Sequence, residues 1–247
     1  MRSRMGTKDV RAMWGPFLDG NSCIVEGSLS AATLSEALPG WVPTGLKQPA
    51  TDLLPHIESY LRDQEPAGLM GRGDHEAIVR VQAGLARAGL PHTLPVRADY
   101  DLGERKKDNL IVVGGPDVNS VTKELLKLLD CAVTIAMDDS DRNGVEDLIH
   151  GQRYVTRAVE AETRDYGILI KAPSPYQEGK HVLILAGAHG FGCMAAGYLA
   201  VNDIANMANL SRRFPHGFEC IVSYRRSGET LTEKNLVVLA RPLRDTA

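Results

Sequence analysis

Residues 181–201, HVLILAGAHGFGCMAAGYLAV, constrain the chain more than any other stretch. They begin as a run of β-formers (Val182, Leu183, Ile184, Leu185), turn at Gly187, Gly190 and Gly192, and continue with small and apolar residues at helical spacing. That order predicts strand, tight turn and helix. Such a junction aims unpaired backbone N–H groups at the space above the strand end and suits an anionic or polar ligand. The stretch lacks Asp, Glu, Lys and Arg and is long enough to span a bilayer. Its two histidines, its glycines and the polar APSPYQEGK before it speak instead for a buried strand followed by a buried helix. No membrane association is expected.

A chain of 247 residues, 43% of them hydrophobic, can bury a large core in a single α/β domain. Its net charge of −3 argues against attachment to nucleic acid by bulk charge, so no nucleic-acid partner is expected. Cys23, Cys131, Cys193 and Cys220 are scattered, with no C-x-x-C pair, as buried thiols in a reducing compartment would be. The opening MRSRMGTKDVRAMWG has no apolar segment of the secretory kind, and a cytoplasmic location is expected.

Along the chain, residues 1–20 read as a polar lead-in pinned by Trp14 and Phe17, and SCIVEG as the first strand. Residues 28–66, broken by five prolines, read as an irregular connection with a helical stripe of Leu53, Leu54, Ile57 and Leu61 over residues 51–64. A second glycine junction, GRGDHE, leads into a helix with Ala77, Ile78, Val81, Leu85 and Ala88 on its apolar face and Asp74 at its cap. A strand near residues 92–97 and the charged loop DYDLGERKKD follow. The third junction is a strand over 109–113, the turn GGPDVNS, and a helix over 121–129 capped by Asn119 or Ser120. Next come a strand over 131–137, an acidic loop (Asp138, Asp139, Asp141) and a short helix near 145–151. Strands 167–172 and 182–186, joined by PSPYQEG, should pair antiparallel. A long helix over 192–209, a strand over 219–224, the loop RRSGETLTEK and a strand over 235–240 complete the order. The expected fold is a three-layer α/β sandwich with a mixed, mostly parallel Rossmann-like sheet and an antiparallel C-terminal addition. An exposed edge near residues 235–240 offers a surface for a second copy and hence a homo-oligomer.

Ligands of open α/β sheets bind outside the carboxyl ends of the strands, and three glycine turns converge there. AGAHGFG contributes Gly187, Gly190, Phe191 and Gly192 as ligand contacts, with His189 as an acid or base. GGPDVN contributes Gly114, Gly115, Asp117 and Asn119, the last more readily explained as a helix cap. GRGDHE contributes Arg72 and Gly73 toward a phosphate, and Asp74 or Glu76 toward a sugar hydroxyl or general-base role. Taken singly, Asp74 also suits a helix cap and Glu76 an exposed first turn.

Other motifs carry less. The spacing G-x-x-G-x-G departs from the dinucleotide fingerprint, and no acidic residue follows at the required distance, so no NAD or other cofactor is expected. MDDSDRNG begins like a calcium loop, but Ile149 stands where the closing glutamate is needed, and no metal is expected. Arg225 and Arg226, at a hairpin mouth, could grip a phosphate or simply face solvent. No G-x-S-x-G, H-E-x-x-H, P-loop or kinase motif is present.

The segments DNLIVVGGPDVNSVT, DYGILIKAPSPY and HVLILAGAHGFG together resemble a largely uncharacterised family of prokaryotic α/β proteins sharing NLI-GGPxxN, DYG and VLxLAGxxxxG strand-turns. That resemblance covers roughly residues 108–201 and implies an order of elements, not an activity. More distantly, Leu110 to Pro116 is similar to the first strand of nucleoside 2-deoxyribosyltransferase-like and TIR-like proteins, which can end in an A-G-P turn at a nucleotide site. That family's nucleophilic glutamate aligns with no position here. The resemblance implies a small-molecule site for a nucleotide or other phosphorylated metabolite, with cleavage or transfer at an N-glycosidic bond as the reaction. The sequence leaves open a non-catalytic ligand-sensing domain and a structural or assembly module.

Overall fold

A computed structural model describes residues 7–18, 21–27, 72–87, 94–136, 143–159, 162–227, 230–231 and 237–244. The expected helix over 51–64, the rest of the 28–66 connection and Asp138, Asp139 and Asp141 lie outside the described residues. Those that are described belong to one unit drawn from Met1–Gly27 and Arg72–Ala247.

The first element corrects the expectation of a polar lead-in. Thr7–Leu18 is a helix, α1, and Val10, Met13, Trp14 and Phe17 are buried at the i, i+3, i+4, i+7 spacing of one helical face. Pro16 inside it has no N–H for the carbonyl of Ala12. Lys171 supplies the missing donor, its Nζ lying 3.1 Å from Ala12 O and 2.7 Å from Met13 O. Trp14 Nε1 donates to Ala200 O at 3.2 Å and Ser22 Oγ to Phe17 O at 2.9 Å, fastening α1 to the body.

The strands are β1 (Ser22–Glu26), β2 (Val96–Ala98), β3 (Asn109–Val113), β4 (Val133–Ala136), β5 (Gly144–Asp147), β6 (Gln152–Val155), β7 (Arg157–Val159), β8 (Glu162–Pro173), β9 (His181–Gly187), β10 (Phe218–Ser227), β11 (Thr230–Leu231) and β12 (Val237–Pro242). The helices after α1 are α2 (Arg72–Arg87), α3 (Ser120–Leu128), α4 (Gly190–Asn202) and α5 (Ile204–Arg213). The main sheet runs β11-β10-β8-β9-β3-β1-β2, with β12 also on β10 and β7 also on β8. Its core, β2, β1, β3 and β9, is parallel. From β8 onward every pairing is antiparallel. The mixed α/β fold is therefore the expected one. Its central strands read as continuous apolar runs because both faces are covered: every residue of NLIVV is buried.

Three local expectations change. Residues 144–147 form strand β5 rather than a helix. They pair with β4 and β6 in a second, antiparallel sheet that also takes the expected strand near 131–137. Gly144 fits there because an added Cβ would press on the Tyr154 carbonyl. The long C-terminal helix is broken at Asp203, whose φ of −109° and ψ of 50° separate α4 from α5. Asn202 and Asp203 are weak helix formers, which places the break there.

A buried charge network fixes the second sheet to β10 and β12. Glu219, fully buried on β10, accepts the Ala132 N–H at 2.9 Å and the guanidinium of Arg241 on β12. Arg241 also donates to Asp147 at 2.7 Å and to Ala132 O at 2.8 Å.

Candidate functional site

Adjacent parallel strands β3 and β9 send their chains to opposite faces of the sheet. Val121 and Leu125 of α3 share a core cluster with Val112, Ile184 and Ile168. The alternate strand residues Ile111, Leu183, Leu185 and Leu169, equally buried, face the other way, where α4 lies against α2. In open α/β sheets ligands bind where neighbouring strands diverge in this manner, which marks the crevice between the carboxyl ends of β3 and β9 as the candidate site.

One side of that crevice is the turn 114–118. Gly114 has φ +116°, a conformation that suits only glycine, and a Cβ there would lie 3.4 Å from Asp74 Oδ2. Thr122 Oγ1 donates to Gly114 O at 2.9 Å, and Gly115 O accepts from Val118 and Asn119, so the turn is held rigidly. The other side is Gly187, Ala188 and His189, with the Ala188 N–H bonded to Tyr166 O at 3.0 Å. Helix α2 reaches the site because Gly73 packs directly on the backbone of Gly190, and further along Gly84 accommodates Val201.

Carboxylates converge on this end. Asp74, 7% exposed, lies beside the Cys193 thiol. Burial raises its pKa; the Cys193 contact opposes the shift and the charge of Asp117 adds to it. Desolvation raises the pKa of Asp117 too, against hydrogen bonds from the Asp117 and Val118 backbone and the charge of His189. Asp165, fully buried on β8, is raised by burial, against hydrogen bonds from Thr156 Oγ1 at 2.7 Å, Gly192 N at 2.6 Å and Tyr166 N at 2.8 Å and the influence of His189. Half-buried Glu26, at the end of β1, is raised by desolvation with His75 opposing. His189 itself is exposed at the start of α4. The burial of Cys193 pushes its thiol well up, and the thiol donates to Leu185 O at 3.1 Å, so it is no nucleophile. No family model matches the chain, and no curated protein matches it. The chemistry of the site must be read from its own side chains.

Asp74, Asp117 and His189 thus come together with Gly114, Gly115 and Gly187. Other candidates stand apart or are occupied. Glu76 forms a surface ion pair with Arg80 at 3.1 Å, and Arg72 is an exposed first residue of α2. Asn119 is fully buried and caps α3 through Val121 N and Thr122 N, while its Nδ2 donates to Val113 O at 2.9 Å. Gly73 and Gly190 serve helix contact, and the Gly192 N–H is taken by Asp165. Phe191 stacks on Tyr224 with ring centroids 4.9 Å apart and planes within 8°.

Asp165 and Glu26 are additions that the glycine pattern did not reveal. Glu26 could have been found as the polar residue ending an apolar strand, SCIVE. Asp165 needed the register: Gly167 pairs with Gly187, which carries the preceding DY to the crevice. Among the described residues no group of His, Cys, Asp and Glu is arranged to hold a metal ion, and no helix is long and apolar enough to cross a membrane.

Proposed function

We propose that the crevice takes the nucleoside portion of a nucleotide-type metabolite and cleaves or transfers at its N-glycosidic bond. The observation that carries this is the convergence of three carboxyl groups of raised pKa, Asp74, Asp117 and Asp165, with His189 at the strand ends. The first turns of α3 and α4 are already occupied by Asn119 and Asp165, and the nearby groups are acidic. That environment disfavours a phosphate inside the crevice and suits a sugar whose hydroxyls donate to carboxylates.

The chemistry follows from the transition state. As the C–N bond breaks, the sugar ring gains positive charge, which the Asp74 carboxylate stabilises, and the departing base nitrogen takes a proton from His189. Water, or an acceptor hydroxyl, bonds to the sugar carbon and loses its proton to Asp74. A carboxyl of raised pKa suits that role near neutral pH.

Incubation with adenosine, guanosine, inosine, cytidine, uridine and NAD, followed by chromatography, tests the reading. Free base should appear with the wild type and vanish in Asp74→Asn and His189→Ala variants that melt like the wild type. Binding that raises the melting temperature and leaves the nucleoside intact would instead favour ligand sensing.

A further inference from the structure

Among the described residues, the fully or nearly buried carboxyl groups are supplied with hydrogen-bond donors, with one exception. Asp165 accepts from Thr156 Oγ1, Tyr166 N and Gly192 N, Glu219 from Ala132 N, Val133 N and Arg241, and Asp147 from Arg241, His150 and Ile149 N. Asp74, only 7% exposed, meets no N–H or O–H donor among these residues and lies beside the Cys193 thiol alone. That thiol has one proton to give and lies 3.1 Å from Leu185 O, so the Asp74 oxygens keep unfilled acceptor capacity. A carboxyl group withdrawn from water and short of donors is costly unless a ligand supplies them.

Glu26 is a second such group. It ends β1, is half-buried, and its side chain forms no hydrogen bond or ion pair with a described residue; His75 acts on it through charge alone. Register places it on the same face of the sheet as Asp74. Glu26 pairs with Val113 of β3, and Val113 with Leu185 of β9. These three project from the side opposite Val25, Val112 and Ile184, which share the core cluster of α3, and therefore from the side of α2 and α4. Val113 leads into Gly114, where an added Cβ would lie 3.4 Å from Asp74 Oδ2, so Glu26 stands one strand across from Asp74.

The order across the sheet is thus His189 at the end of β9, Asp74 at the end of β3 and Glu26 at the end of β1. Neighbouring strands are about 4.8 Å apart, and the three positions span about 10 Å, which a nucleoside can bridge. With the base at His189 and the reacting carbon at Asp74, the far side of the sugar falls at Glu26. A ribose carries two neighbouring hydroxyls there, both donors, and a single carboxylate can accept from the two together.

We propose that Glu26 binds the 2′- and 3′-hydroxyls of the sugar, so that the crevice takes ribonucleosides in preference to their deoxy counterparts. This rests on the nucleoside reading above, in which Asp74 keeps its place at the reacting carbon.

The test compares adenosine, guanosine, inosine, cytidine and uridine with their 2′-deoxy and 3′-deoxy counterparts, by turnover and by calorimetric binding, on the full chain and its Glu26→Gln variant. The wild type should favour ribonucleosides by roughly 10- to 100-fold in kcat/KM, although loss of the 2′-hydroxyl makes the glycosidic bond intrinsically easier to break. Glu26→Gln should lose a similar factor with ribonucleosides, mainly through KM, and change little with the deoxy compounds. A merely structural Glu26 would weaken all substrates alike. The variant removes an unpaired, partly desolvated charge and keeps the shape, so it should melt at or above the wild-type temperature. Equal handling of ribo- and deoxynucleosides by the wild type, or an equal loss on both in the variant, overturns the proposal and leaves the cleavage reading standing. Ribonucleosides that bind without turnover, dependent on Glu26 and on both hydroxyls, would keep the diol site and remove the reaction. Absence of any nucleoside binding or turnover overturns both.

Discussion

The Asp165 carboxylate on β8 accepts the Gly192 N–H at 2.6 Å, so a strand residue caps the first turn of α4. The same carboxylate holds Tyr166 N and Thr156 Oγ1. One side chain therefore sets the distance between the β8 wall, the β7 approach and the helix that follows β9. Replacing Asp165 by alanine takes an acceptor from three donors, of which the Gly192 N–H keeps the His189 carbonyl at 3.1 Å, and should cost about 2–3 kcal/mol in urea unfolding. Asparagine keeps the shape and should cost less. Because burial raises the folded pKa of Asp165, its carboxyl contributes stability fully present below the unfolded value of 3.8 and lost as pH rises through the folded value. The advantage of wild type over Asp165→Asn should accordingly shrink on going upward from pH 4, and a gap that widens would contradict the assignment.

Asn119 serves both ends of the β3–α3 turn. Its Oδ1 accepts from Val121 and Thr122, and its Nδ2 donates to Val113 O. Asn119→Ala should lower stability by about 1–3 kcal/mol, combining a lost cap with the loss of one of the two donors to Val113 O, which keeps the Gly27 N–H at 3.2 Å. Asn119→Asp retains the acceptor and loses the donor, so its urea midpoint should fall between the other two.

How much of this was legible in the sequence depended on how local the cause was. The strands NLIVV and HVLILAG and the capped helix SVTKELLKL are specified by neighbouring residues, so their pattern announces them. α1 was concealed because Gly15 and Pro16 are helix breakers; its cohesion comes from Lys171, far away in the chain, filling the gap that proline leaves. β5 was concealed because Val145–Glu146–Asp147 has no strand-like alternation of apolar and polar residues. The buried Asp147 is paired with Arg241, 94 residues later, besides the nearby His150 and Ile149 N–H. The three glycine turns lie at one end of the sheet, while the place of Asp165 depends on which strand residues face each other, a property no single segment contains.

Arg241 is the pivot of the second sheet. Arg241→Met would leave Glu219 and Asp147 buried without their cation and should cost about 3–5 kcal/mol. The Asp147 carboxyl, which burial alone would raise, is held down to about 2 by His150, Arg241 and the Ile149 N–H. Its contribution is present above the unfolded value of 3.8 and lost as pH falls through about 2. Acid unfolding followed by circular dichroism should therefore begin at higher pH in Arg241→Met than in the wild type; an unchanged acid midpoint would detach Arg241 from this network.

Lys171 gives a slope of the same sign at the alkaline end. Its ammonium is buried among Ala12 O, Met13 O and Ser211 Oγ, with no carboxylate among these partners. Desolvation lowers its pKa from 10.5 to about 8. A depressed folded pKa means that the folded chain releases the proton before the unfolded chain does, so stability linked to this group is present above 10.5 and lost as pH falls through about 8. Lys171→Met does not titrate there, and it abandons the Ala12 carbonyl that Pro16 leaves without a partner. The unfolding free energy of the wild type, measured relative to that variant, should rise by about 3 kcal/mol between pH 8 and pH 10.5. A flat difference across that interval would mean that the Lys171 charge is solvated in the native state and that α1 is held by Trp14 and Phe17 instead.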